Sequence, residues 1–173
     1  TVDSSGAEHY GTISIFVESP QKSGVFWTGS DDGLVYTSRD AGKTWLNITP
    51  HDLPEWAYIY CIEVSGHDPD KIYLSATRYK LNDYRPWIYK SIDGGRSWSI
   101  INGDYPEAEI SRVIREDPTC PGLLFVGSET GIFMSVNDGI NWQKLQGNFP
   151  VVPVYDIKIK EDDLVVATHG RSF

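Results

Sequence analysis

The chain has 173 residues, 40% of them hydrophobic and 16 of them glycine, a composition that belongs to a folded globular protein and excludes a disordered one. Its net charge of −9 excludes broad binding to a nucleic-acid backbone, and no apolar run approaches the roughly 18–20 residues of a membrane-spanning helix. Six Trp and ten Tyr against a single Met favour β structure over helix.

Alternating apolar residues bounded by turn formers predict strands in a repeating order of four. The first set is Thr12–Glu18, Gly24–Thr28, Leu34–Ser38 and Thr44–Ile48. The second is Tyr58–Val64, Lys71–Ala76, Trp87–Ser91 and Ser97–Ile101. The third is Ile110–Arg115, Gly122–Gly127, Gly131–Ser135 and Asn141–Leu145, and a fourth opens with Val154–Lys160 and Asp163–Thr168. Almost no helix is expected. Prolines at 20, 69 and 118 mark the same point in successive sets, so the period is about 45–50 residues, that of a four-stranded β-propeller blade. The fold class is therefore all-β, with blades at about 11–49, 57–102 and 109–146 and the first half of a fourth at about 153–173. Propellers close with about 4–8 blades, so the sequence is expected to be part of a larger ring whose open blade edges favour self-association.

Between the third and fourth strands of each set lies one octapeptide. The copies run Ser38-Arg39-Asp40-Ala41-Gly42-Lys43-Thr44-Trp45, Ser91-Ile92-Asp93-Gly94-Gly95-Arg96-Ser97-Trp98 and Ser135-Val136-Asn137-Asp138-Gly139-Ile140-Asn141-Trp142. In a hairpin turn the glycine supplies positive φ, the carboxylate accepts backbone N–H groups, and the tryptophan packs on the sheet or on a neighbouring blade. A group copied once per blade, and replaced by Asn137 in the third, suits a structural turn better than catalysis or a metal. Cys61 and Cys120 are too few for a disulfide framework and lack zinc-ligand spacing, so free thiols, no metal and no cofactor are expected.

These octapeptides resemble the Asp-box, or BNR repeat, of sialidases, sortilin-type receptors, xyloglucanases and photosystem II assembly factors. The wider chain resembles large secreted bacterial proteins labelled glycosyl hydrolase or sortilin-like, through Gly29-Ser30-Asp31-Asp32-Gly33-Leu34, Asp83-Tyr84-Arg85-Pro86, Arg115-Glu116-Asp117-Pro118 and the segment Ala167–Phe173. The resemblance implies a sialidase-like propeller fold and a secreted or periplasmic location, although Thr1–Tyr10 has no signal-peptide character.

With the octapeptides on one face, ligands are expected on the other. That face gathers Asp31, Asp32, Trp56, Arg78, Tyr84, Arg85, Asp104, Tyr105, Glu129, His169 and Arg171. Aromatic, arginine and carboxylate groups together fit a sugar site, but also solvated turns and ion pairs. The insert Thr77–Pro86 is expected to be a flap packed over a neighbouring loop, or a partner-binding projection. Arg112 and Arg115 fall on an innermost strand, with Arg112 expected near the channel and paired to a carbonyl or carboxylate. Sialidase chemistry uses three arginines around the substrate carboxylate, whereas only Arg112 and Arg115 fall on an innermost strand here and adjacent-blade partners for them are absent, so sialidase activity is not expected. The leading expectation is a binding or scaffolding propeller for protein or peptide ligands; the alternative is part of a xyloglucanase-like hydrolase acting on carbohydrate.

Overall fold

A computed structural model describes residues 11–170. Blade 1 comprises β1 (Ile13–Glu18), β2 (Phe26–Ser30), β3 (Val35–Ser38) and β4 (Leu46–Asn47). Blade 2 holds β5 (Tyr58–Val64), β6 (Ile72–Arg78), β7 (Asp83–Ser91) and β8 (Ser99–Ile100). Blade 3 holds β9 (Ser111–Glu116), β10 (Leu124–Ser128), β11 (Ile132–Ser135) and β12 (Gln143–Lys144). A two-stranded sheet follows, β13 (Val154–Lys160) and β14 (Asp163–Thr168). Every sheet is antiparallel with neighbours in sequence order, and β1, β5, β9 and β13 contact one another as the inner strands. These are β-propeller blades, and among the described residues they form an incomplete ring.

The octapeptides close their hairpins by one bonding scheme. Ser38 Oγ accepts from Gly42 N at 2.9 Å, while Asp40 accepts from Thr44 N at 2.9 Å and Thr44 Oγ1 at 2.7 Å. Asp93 does the same with Ser97 N at 2.9 Å and Ser97 Oγ at 2.6 Å. In the third turn Asn137 Oδ1 takes Asn141 N at 2.9 Å, and the amide donates to Asn141 Oδ1 at 3.0 Å, so a pair of amides replaces the carboxylate–hydroxyl pair.

The turns also join blades. Trp98 Nε1 donates to Ile48 O at 2.6 Å and Trp142 Nε1 to Ile101 O at 2.8 Å, each reaching the preceding blade. Asp138, next to Asn137, accepts from Tyr73 Oη at 2.6 Å and Lys90 Nζ at 2.9 Å, tying blade 3 to blade 2. Two apolar clusters lie in these seams. One contains Trp27, Ile59, Ile62 and Tyr89; the other contains Tyr73, Ile114, Val126 and Ile157.

The segment 77–86, expected as a flap or a partner-binding projection, is largely strand. Pairing continues through Arg78 opposite Asp83, so most of the insert lengthens the β6–β7 hairpin around one 3₁₀ turn, Tyr79–Leu81. The polar sequence hid this extension, because Asp83 is bound by Arg78 at 3.2 Å and by Arg85 at 2.8 Å, which lets charged residues continue a strand.

Candidate functional site: the mouth of the channel

Each inner strand carries a β-bulge at the same level. The register slips between Ile13 and Ile15, between Ile59 and Cys61, and between Val154 and Asp156; in blade 3 it slips opposite Val126 and Ser128. A bulge adds one residue and re-aims a side chain. Here the extra residues are Ser14, Tyr60 and Tyr155, with Arg112 and Val113 sharing the position in β9. Tight backbone packing accompanies them: a Cβ on Gly127 would lie 2.7 Å from Val154 Cγ1, and one on Gly29 would collide with Ile59.

Three of those positions form a cluster at the end of the channel away from the octapeptides. The Arg112 guanidinium lies 4.5 Å from the Tyr155 ring centre and 5.4 Å from that of Tyr60. Tyr79, from the lengthened hairpin, adds a third ring at 5.5 Å. Glu129 accepts from Nε and Nη2, so the buried cation is paired with a carboxylate. Tyr58 stands 5.7 Å from Tyr60 and His169 5.3 Å from Tyr155, centre to centre, which extends the aromatic surface outward. Tyr155 remains 40% exposed, enough to meet a ligand. Burial raises the Tyr60 pKa against the lowering effect of Arg112, so its hydroxyl stays a donor at neutral pH.

The residues singled out in sequence divide among several roles. Asp31 accepts from the backbone of Gly11 and Thr12 at 2.8 and 2.9 Å, and Asp32 is bonded by Ser30 Oγ. Trp56, exposed and with φ of 64°, donates its backbone N–H to Asp32 O at 3.2 Å. Asp31 and Trp56 share a small hollow with Tyr58, Arg78 and Tyr79. Hydrogen bonds from Arg85, helped by Arg78, hold the Asp83 pKa at about 2. Arg85 also lies 4.9 Å from the Trp87 ring, while Tyr84 is exposed. Asp104, exposed, accepts from Trp142 N at 2.5 Å. Tyr105 is a correction: it is 4% exposed, in a core cluster 4.5 Å from Phe133 and edge-on to Trp142, because the loop folds its ring inward where apolar area is covered. Glu129 and His169 reach the mouth; Arg171 lies outside the described residues.

Sequence reasoning placed Arg112 near the channel but passed over Tyr58, Tyr60 and Tyr155. The available signal was a tyrosine at the matching place in two inner strands. Strict alternation concealed it, since a bulge breaks the period of two.

No protein-family model and no curated protein matches the sequence. Solved structures share the fold. The xyloglucanase of family GH74 from Xanthomonas campestris superposes with a TM-score of 0.65 at 14% identity, over 84% of this chain and 25% of that one. YCF48 bound to a D1 peptide gives 0.62 at 19% identity, over 84% and 44%. The extracellular domain of the BT4673 one-component system from B. thetaiotaomicron gives 0.63 at 16% identity, over 85% and 19%. The chain thus spans between about a fifth and less than half of the length of these propeller proteins.

Proposed function

We propose that the chain is part of an Asp-box-type binding propeller, acting outside the cytoplasm, that takes a protein or peptide segment at the channel mouth formed by Tyr58, Tyr60, Arg112 and Tyr155. One observation carries this reading: the mouth-face carboxylates named above are engaged as turn or ion-pair partners, while tyrosine rings stay open beside them. A glycosidase needs one carboxyl held protonated and a second about 5–10 Å away. The one carboxyl there with a resolved shift to about 2, Asp83, is moved in the opposite direction. Aromatic rings with a polar tip suit peptide recognition, and one structural neighbour is a propeller with a peptide bound.

The test is selection of a displayed peptide library on the whole chain, followed by calorimetry on the enriched sequences with Tyr60→Ala and Tyr155→Ala. At least tenfold weaker binding in both variants, with unchanged thermal melts, is expected. Release of sugars from xyloglucan that disappears in Glu129→Gln would overturn it in favour of the hydrolase.

A further inference from the structure

A peptide is commonly held as an added β-strand, as a helix in a groove, by an arginine cluster, or as a polyproline II helix on aromatic rings. The channel mouth offers none of the first three. Strand addition needs a regular open edge, and the bulges at Ser14, Tyr60 and Tyr155 interrupt three of the inner strands there. A helix needs a groove deep enough for bulky anchors, whereas the hollow beside Tyr58 and Tyr79 has a volume of about 30 Å³, one water molecule's share of the liquid. An acidic or phosphorylated segment needs free guanidinium groups. Here Arg78 and Arg85 are bound to Asp83, and Arg112 is bound to Glu129.

The rings suit the fourth mode. His169, Tyr155, Tyr60 and Tyr58 follow one another in centre-to-centre steps of 5.3, 6.3 and 5.7 Å. A polyproline II helix rises about 3.1 Å per residue, so each step spans about two of its residues. The aromatic surface continues around the small hollow, where Trp56 and Tyr79 are both exposed. Trp56 adopts a φ of 64°, a conformation rare for a bulky residue, and its backbone bond to Asp32 O keeps it there with the ring in solvent.

Proline rings lie flat on aromatic faces and need no deep pocket. A polyproline II helix has no internal hydrogen bonds, so its carbonyls are left to accept from the site. Tyr60 supplies a donor: its oxygen takes a hydrogen bond from Arg112, which leaves its own proton for a ligand. Such a helix is formed before it binds, so little chain entropy is lost in ordering it. Building on the peptide-binding reading of this mouth, we propose that the segment it takes is proline-rich and lies as a polyproline II helix across Trp56, Tyr58, Tyr60 and Tyr155.

Titration calorimetry of the whole chain with decaproline tests this, with a Gly-Ser repeat of equal length as a flexible control. Decaproline should bind and the control should not. Tyr155→Ala should weaken decaproline binding roughly tenfold or more, with an unchanged thermal melt. Tyr60→Phe, which keeps the ring and removes the donor, should weaken it by about two- to tenfold, the worth of one hydrogen bond. Trp45→Ala, on the octapeptide face, should change nothing. Binding of proline-free library peptides at the same tyrosines, with none of decaproline, would overturn the proline assignment and leave the peptide reading intact. Failure of decaproline and of the whole library would remove both together. Binding of a xyloglucan oligosaccharide that Tyr155→Ala abolishes, without binding of decaproline, would give the rings to a sugar instead.

Discussion

The first octapeptide turn and the two that follow it share a bonding scheme but not a setting. Trp98 and Trp142 donate to a carbonyl of the preceding blade, and Trp142 is 6% exposed. Trp45 bends back on its own turn, donating to Gly42 O at 3.1 Å, and is 42% exposed beside Ile13 and Leu34, both also exposed. Within the described residues no blade lies before it. The difference separates two functions of one motif: the Ser, Asp and Gly close the hairpin locally, whereas the Trp and the space beside the Gly join blades.

Tryptophan removal is the harshest way to break this comparison. Trp142→Ala should destabilise the chain by about 3–5 kcal/mol through lost burial and a cavity, and Trp98→Ala, half-buried, by somewhat less. Trp45→Ala should cost under about 1 kcal/mol, as for a surface residue. Urea denaturation of the three variants checks the order. Equal losses would mean that the turns stabilise only their own hairpins.

Glycine substitution sharpens the same contrast with a smaller effect. Gly42, Gly95 and Gly139 all have positive φ, at 83°, 94° and 87°, so alanine costs about 1–2 kcal/mol at each from backbone strain. A Cβ on Gly139 would also stand 2.7 Å from Ile101 Cδ1, and one on Gly95 would collide with Ile48; at Gly42 the nearest group is Trp45 Cζ2 at 4.0 Å. Overpacking adds about 1–3 kcal/mol at the two inner turns. Gly95→Ala and Gly139→Ala should therefore lower the melting temperature by roughly twice as much as Gly42→Ala.

The blade period, the octapeptides and the strand order were legible in the sequence because each rests on local chemistry: alternation, turn residues and spacing. Strands β5, β13 and β14 run over the ranges read from alternation. What escaped was decided between blades. Tyr105 looks like a surface loop residue until Phe133 and Trp142 come to cover it. Asp138 reads as a turn residue beside Asn137, yet Lys71, Tyr73 and Lys90 of blade 2 make it a seam contact. The mouth residues Tyr60 and Tyr155 depend on bulges, which shift the facing of a side chain without leaving a mark in composition.

The smallest effect concerns the turns alone, and it divides them differently. Hydrogen bonds from Thr44 hold the Asp40 pKa at about 2, and those from Ser97 do the same for Asp93. A folded-state pKa below the unfolded one contributes stability that is present above about pH 4 and is lost as pH falls through about 2. Asp40 is exposed and Asp93 only half-buried, so solvent limits the contribution, but the direction holds. Asn137 cannot titrate, and its amide pair with Asn141 should persist. Amide proton shifts of Thr44 and Ser97, the N–H groups bonded to those carboxylates, should move together with midpoints near pH 2, while that of Asn141 stays fixed. Asp93→Asn should flatten the Ser97 curve and leave Thr44 unchanged. If Asn141 moved with the other two, acid would be opening the blade seams rather than the turns, and the separation of local closure from blade joining would fail.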